Sequence, residues 1–209
     1  VSMVRTSFFG SFAIVMLAVV TGCGSDDNSA APSTASPGSA APTTAAASPS
    51  PGSPPASPPG VEPEYSSLLI KASDIGPDAW ADGPPIANPA GVVGVGQTFK
   101  NPDGKRTIVV TLAVFADPSE AAHMVPAMRE TLSKKVAGEP QPVDVGSDGL
   151  MVAGVASEKS MEVSEVVFTA GKVLVDLEFD SSLGNPTPPD VVLDVARKQD
   201  AAVRNGLPS

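Results

Sequence analysis

Cysteine is almost missing from this chain: it occurs once in 209 residues, at Cys23. One thiol excludes an internal disulfide and leaves the body of the protein without a Cys-ligated metal or a Cys nucleophile. Histidine also occurs once, at His123, and aromatic residues make up only 4% of the chain. Basic residues are few, with 13 Lys and Arg against 23 Asp and Glu, for a formal charge of −10. Phosphate neutralisation needs Lys and Arg, so this balance argues against nucleic acid as a partner and against docking on anionic lipid through charge alone. No G-x-S-x-G elbow accompanies His123, which excludes the usual triad signature. By helical spacing His123 falls with Ala127, Glu130 and Lys134, on a solvated helix face. The glycines at Gly91, Gly94 and Gly96 are in the wrong order for G-x-G-x-x-G, and no P-loop Lys follows. They read as a strand that bends or packs closely. Asp144 to Gly149 resembles the front of a calcium loop, but its twelfth position is Val155 rather than Glu, so it reads as a turn into a strand. No cofactor, metal site or catalytic residue is expected.

What the chain does have is proline (23) and glycine (19), concentrated rather than spread. Residues 1–22 form an export signal. Arg5 gives a positive start, and Phe8 to Val20 is an apolar run too short for a comfortable transmembrane helix. Val20, Thr21 and Gly22 then precede Cys23 as a lipobox: an aliphatic residue and two small ones that let an extended backbone enter the signal peptidase. The Cys23 thiol takes a diacylglycerol, palmitate-type anchor. The competing reading is an ordinary signal peptide, or an uncleaved anchor, with an incidental cysteine. Two or three acyl chains hold a protein stably, so the membrane is a partner through Cys23 and the chain is placed on its extracytoplasmic face.

Residues 23–63 carry the lipidated cysteine and a tether of Ser, Ala, Pro, Thr and Gly that cannot bury a core. At roughly 3 Å per residue in polyproline II, it reaches on the order of 100 Å. Thr34, Thr43 and Thr44 read either as O-glycosylation acceptors or as parts of a plain linker.

Residues 64–209 read as one domain. Leu68 to Trp80 is a short helical lead-in broken at Gly76-Pro77. Gly91 to Lys100 and Lys105 to Phe115 are strands joined by the turn Asn101-Pro102-Asp103-Gly104. Asp117-Pro118-Ser119-Glu120 starts a helix, whose apolar stripe is Ala121, Val125, Met128, Leu132 and Val136. Pro126 inside it predicts a kink. A strand over Gly149 to Ala156 and a hairpin over Met161 to Asp180 follow. A closing helix opens at the capping-box-like Thr187-Pro188-Pro189-Asp190, with Val191, Val192, Val195, Ala196, Ala202 and Val203 on its buried side. The order β-β-α-β-β-β-α predicts an α+β fold: an antiparallel sheet of about five strands with two long helices on one face.

Two surfaces are candidates for function. With Ala170-Gly171 as a two-residue turn, Glu165 lands opposite Asp176, and Glu178 and Asp180 extend an acidic outer face. That face suits a cation or a basic partner, or is simply solvated. The second is an apolar pocket between sheet and helix, lined by Met124, Met128 and Met151 and opened by Pro126; a fully packed core is the alternative.

The lipobox, the tether, the lead-in LLIKASDIG, the helix opening ADPSEAA and the strand pair VVFTAGKVLVDLEF together resemble short lipoproteins of mycobacteria and related actinomycetes. That resemblance implies a cell-envelope setting and a small α+β domain of the sensor or carrier kind, and it carries over no catalytic residue. Two functions follow as expectations. One is a non-catalytic module that binds or senses an apolar or amphiphilic ligand. The other is an interaction module for an envelope protein, with no small ligand. Replacing Cys23 with Ala is expected to move the protein from the detergent phase to the aqueous phase on detergent partitioning. Retention in the detergent phase refutes the lipid anchor.

Overall fold

The computed structural model describes residues 64–158 and 160–207. The export signal, Cys23 and the tether therefore lie outside the described residues. The chain enters through a 3-10 turn at Ser66–Leu68 and a one-turn helix α1 (Ala72–Ile75), followed by two-residue strands β1 (Trp80–Ala81) and β2 (Ile86–Ala87). The expected lead-in helix is thus only fragments, because Gly76 and Pro77 stop it before a stable helix length is reached. Then come β3 (Gly94–Lys100), β4 (Arg106–Val114), helix α2 (Pro118–Lys135), and strands β5 (Gln141–Pro142) and β6 (Ser147–Val155). Strands β7 (Met161–Ala170) and β8 (Val173–Ser182) and helix α3 (Pro189–Gly206) complete the domain.

All strands join one antiparallel sheet in the order β1-β3-β4-β8-β7-β6-β5, with β2 also on β3. The five long strands are the expected ones. The other three are two-residue caps on the sheet edges, too short for any periodicity to announce. They close β3 and β6 against further strand pairing, helped by Ala137, whose N–H donates to Val155 O at 2.9 Å.

Local chemistry explains the long elements. The Asp117 carboxylate accepts the amides of Ser119 (2.8 Å) and Glu120 (3.0 Å), and Pro118 occupies the first turn, so α2 starts where its donors are satisfied. Helix α2 is continuous across Pro126, which lies on the exposed face, where solvent can reach the carbonyl that loses its donor. Gly94 (φ +151°) runs so close to β4 that a Cβ there would stand 1.9 Å from Leu112 O. Helix α3 begins one residue later than expected. Pro188 is its N-cap, Pro189 follows, and no side chain caps its amides. Thr187 therefore lies outside the helix and forms no capping box.

The helices do not share a face. On β8, Val173, Val175, Leu177 and Phe179 pack in one core with Val192, Val195, Ala196 and Val203 of α3. Leu174, Asp176 and Glu178 alternate to the other face, where α2 crosses β6, β7 and β8. There Ala121, Val125, Met128 and Leu132 are buried over Leu150, Val152, Val163 and Val167. The structure departs from the expected single covered face because the charged positions of β8 point inward, under α2. In fact β7 and β8 are sandwiched between helices.

Coverage of the α3 face is uneven. Helix α3 lies over β7 and β8, while β3 and β4 are roofed by the irregular segment that precedes β3. Side chains of α3 tie that segment down: Lys198 Nζ donates to Asp74 O at 2.8 Å, and a buried glutamine does more. Gln199, fully buried on α3, accepts the Ile70 amide at 3.1 Å and donates to Leu68 O at 2.7 Å. Replacing Gln199 with Leu orphans both backbone groups and is expected to lower unfolding free energy by about 2–4 kcal/mol, measured by urea denaturation.

Candidate functional site

The acidic residues come together, but not as a surface. The β7–β8 turn is Gly171-Lys172, with Ala170 opposite Val173 and Gly171 at φ +58°. Two-residue hairpin turns demand a positive φ at their first central position. Glycine accepts it and alanine does not, so the turn centres one residue further on than expected. Glu165 consequently faces Glu178, and Asp176 faces Val167. Because the partner moves by two residues, every carboxylate keeps its face, and that face lies under α2. Glu165, Asp176 and Glu178 are all buried, at 1%, 9% and 6% exposure, which overturns the expected acidic surface. Asp180, further along the same face, is half-buried.

Lys135, in the last turn of α2, reaches into this cluster. Its Nζ donates to Glu178 Oε2 at 2.7 Å and lies 2.8 Å from Glu165 Oε2, an ion pair outside hydrogen-bonding geometry. The helix end is pinned there: Ser157 donates its amide to Lys135 O and its hydroxyl to Lys134 O, each at 2.8 Å. Burial disfavours the Lys135 ammonium, but the charges of Glu165, Asp176 and Glu178 outweigh it and hold its pKa above the ordinary value. Burial raises Glu165, with Lys135 opposing. Asp176 is pushed well above 3.8, first by burial and then by the charge of Glu165. It therefore holds its proton to higher pH than an ordinary aspartate does, so the carboxylates need not all ionise together.

The cluster is perturbed but not placed for chemistry. Neither cleft described below is lined by any of its members. Among the described residues, no group of three His, Cys, Asp or Glu is placed to hold a metal ion. His123 is exposed on α2. The three methionines do not line one pocket: Met128 and Met124 lie on α2, while Met151 packs against the core on the α3 face. The sheet stands between them.

The open space lies elsewhere, under the irregular roof over β3 and β4. A groove of about 550 Å³ runs between Tyr65–Ala72 and the β1–β2 loop, with Gln97 and Phe99 of β3 in its lining. A narrower slot of about 230 Å³, mostly apolar, lies between the α1–β1 loop, the β3–β4 turn and the start of α3. Phe99 forms a wall of both. The sequence hints at this only indirectly, through a proline- and glycine-rich stretch where a covering helix would otherwise be.

No family model matches the chain, and no curated protein matches it. Among solved structures, it is similar to the extracellular domain of PknH from Mycobacterium tuberculosis, with a TM-score of 0.53 and 14% identity, over 68% of this chain and 95% of that one. At that identity the likeness concerns the fold.

Two outcomes follow for the buried cluster. Between pH 3.8 and the raised value of Asp176, the folded protein holds a proton that the unfolded chain releases, so stability falls as pH rises through that window. Asp176→Asn is expected to remove this loss, gaining about 1.4 kcal/mol per pH unit of the window. Urea midpoints at pH 5 and pH 8 check it: the wild type loses stability between them and the variant loses less, the remainder being the raised Glu165. Lys135→Met leaves Glu165 without its ammonium and is expected to cost about 3–5 kcal/mol at pH 7.

Proposed function

We propose that this chain is a non-catalytic binding module of the cell envelope, held on the extracytoplasmic face of the membrane by a lipid on Cys23 and displayed on its Pro-rich tether. The observation that carries the reading is the pair of neighbouring clefts, or lobes, on the α3 face of β3 and β4. It is built from a roofing segment rather than a packed helix, and Phe99 lines both lobes. Its larger lobe falls in the size range of small-molecule sites, and its lining mixes apolar walls with a few polar groups. The ionisable cluster argues against catalysis, because it is sealed under α2 away from either lobe. No described helix is long and apolar enough to cross a membrane. The likeness to an extracellular domain is in keeping with this setting.

A second reading has its own support. On the α2 side, β3 and β4 lie beyond the helix. Trp80 and Ile86, paired to Lys100 and Gly96, stand there 42% and 39% exposed on one face. Such a patch suits an envelope protein partner.

Native mass spectrometry of the purified full chain separates the two. Under the ligand reading, the wild type carries an added mass that is lost on denaturation. Ala81→Trp, which fills the groove from β1, abolishes it. A bare polypeptide mass for the wild type refutes the ligand reading and leaves the sheet patch. An added mass unchanged in Ala81→Trp places the ligand elsewhere.

A further inference from the structure

We propose that the narrower lobe is an anion-headed subsite, taking an amphiphile whose carboxylate or phosphate sits against Arg106 at the N-terminus of α3, with its apolar body along Phe99. This rests on the reading of the groove as a ligand site and adds the ligand's chemical class. The slot walls are apolar: Ile75, Pro77, Phe99, Ile108, Phe179 and Val191. Into them project groups suited to an anion. Arg106 shares its face of β4 with Ile108 and makes no ion pair among the described residues, in a chain with ten more acidic than basic side chains. Its backbone N–H donates to Asn101 Oδ1 at 2.9 Å, which fixes the strand start and leaves the guanidinium for other work.

Thr187 lines the same slot, is only 5% exposed, and brings a hydroxyl to its wall. Ser181 stands directly across the β4–β8 pair from Arg106, on the same face, 1% exposed and with an unpartnered Oγ. Buried hydroxyls normally find partners, so an unpartnered one directly across the strand pair from Arg106 points to a missing acceptor on this face. The third element is the start of α3. Two prolines occupy its cap and first position, no side chain caps it, and its positive dipole end lies beside Thr187 and Val191, with the exposed Asp190 also in the first turn but outside the slot lining. Asp78 also lines the slot, but it is exposed on the α1–β1 loop and pairs with neither Arg106 nor Lys100.

A guanidinium fork suits both carboxylate and phosphate, so the two heads share one chemistry here. Hexanoate, hexyl phosphate, hexanol, hexyltrimethylammonium and inorganic phosphate are titrated calorimetrically into the purified full chain. The expected result is that one or both anionic probes bind at least about tenfold more tightly than hexanol, and that the cationic probe does not bind. Which anion is tighter distinguishes an acyl carboxylate from a phosphate head. Arg106→Gln removes the preference over hexanol, a loss of about 10- to 100-fold in anion affinity. Thr187→Val, which keeps shape and fold, weakens the anions about threefold to tenfold and leaves hexanol unchanged. Hexanol binding as tightly as the anions overturns the inference and leaves the groove reading standing. Inorganic phosphate binding as tightly as hexyl phosphate overturns the amphiphile. No binding by either anionic probe overturns the subsite, and the co-purified mass then decides the groove by itself.

Discussion

The structure hangs on the β7–β8 hairpin, which is covered on both faces. Once α3 lies over Val173, Val175, Leu177 and Phe179 and α2 crosses the opposite side, period-two alternation leaves nowhere to put Asp176 and Glu178 except in the interior. Lys135 answers that constraint. It comes from the last turn of α2, where a cation is also favoured by the helix dipole, and its stem is long enough to bring an ammonium under the helix from the edge. A buried ion pair need not add net stability over an apolar replacement. What this one does add is direction: α2 can settle on the sheet only where its C-terminal turn meets Glu165 and Glu178, and Ser157 holds that turn in place.

Much of this architecture was legible in the residues. The Asn101–Gly104 turn, the Asp117 cap and the stripe through Ala121, Val125, Met128 and Leu132 each specify a local geometry that the fold keeps. What was not legible is what depends on the partner across space. Both helices carry one apolar stripe, and a stripe does not say which side of a sheet it will meet. The acidic positions on β8 looked solvent-facing because carboxylates usually are; the only sign to the contrary was a lysine 41 residues before Asp176. The turn could have been read better. Placing Gly171 first rather than second in the hairpin loop satisfies the positive φ, and that alone gives the observed register.

The candidate site was less legible still. A cavity between layers was anticipated, but attributed to Met124, Met128, Met151 and a displaced α2. Helix α2 instead packs down along its whole stripe, and the space opens on the other side of the sheet, beside the irregular roof. The physical reason is the segment from Tyr65 to Gly91. Its prolines and glycines prevent a helix long enough to cover β3 and β4, so the sheet is roofed by turns tied to α3 through Gln199 and Lys198. Turns tile a flat sheet less completely than a helix stripe does, and the residue of that mismatch is the groove.

The same sequence choice that leaves the roof irregular leaves the start of α3 bare. A Ser, Thr or Asp at the cap would have closed the helix amides locally. Pro188 takes that place and pushes Thr187 outside the helix, where its hydroxyl faces the slot instead of the amides. Opposite, Arg106 begins β4 just after a turn whose Asn101 already satisfies its backbone, so its side chain is the one group of that residue left to bind anything. Ser181, across the strand pair from Arg106, keeps a buried hydroxyl without a partner. In Lys135's cluster charge is met within the chain; at Arg106 it is not. That contrast separates a charge that organises the fold from the one on which the proposed anion subsite rests.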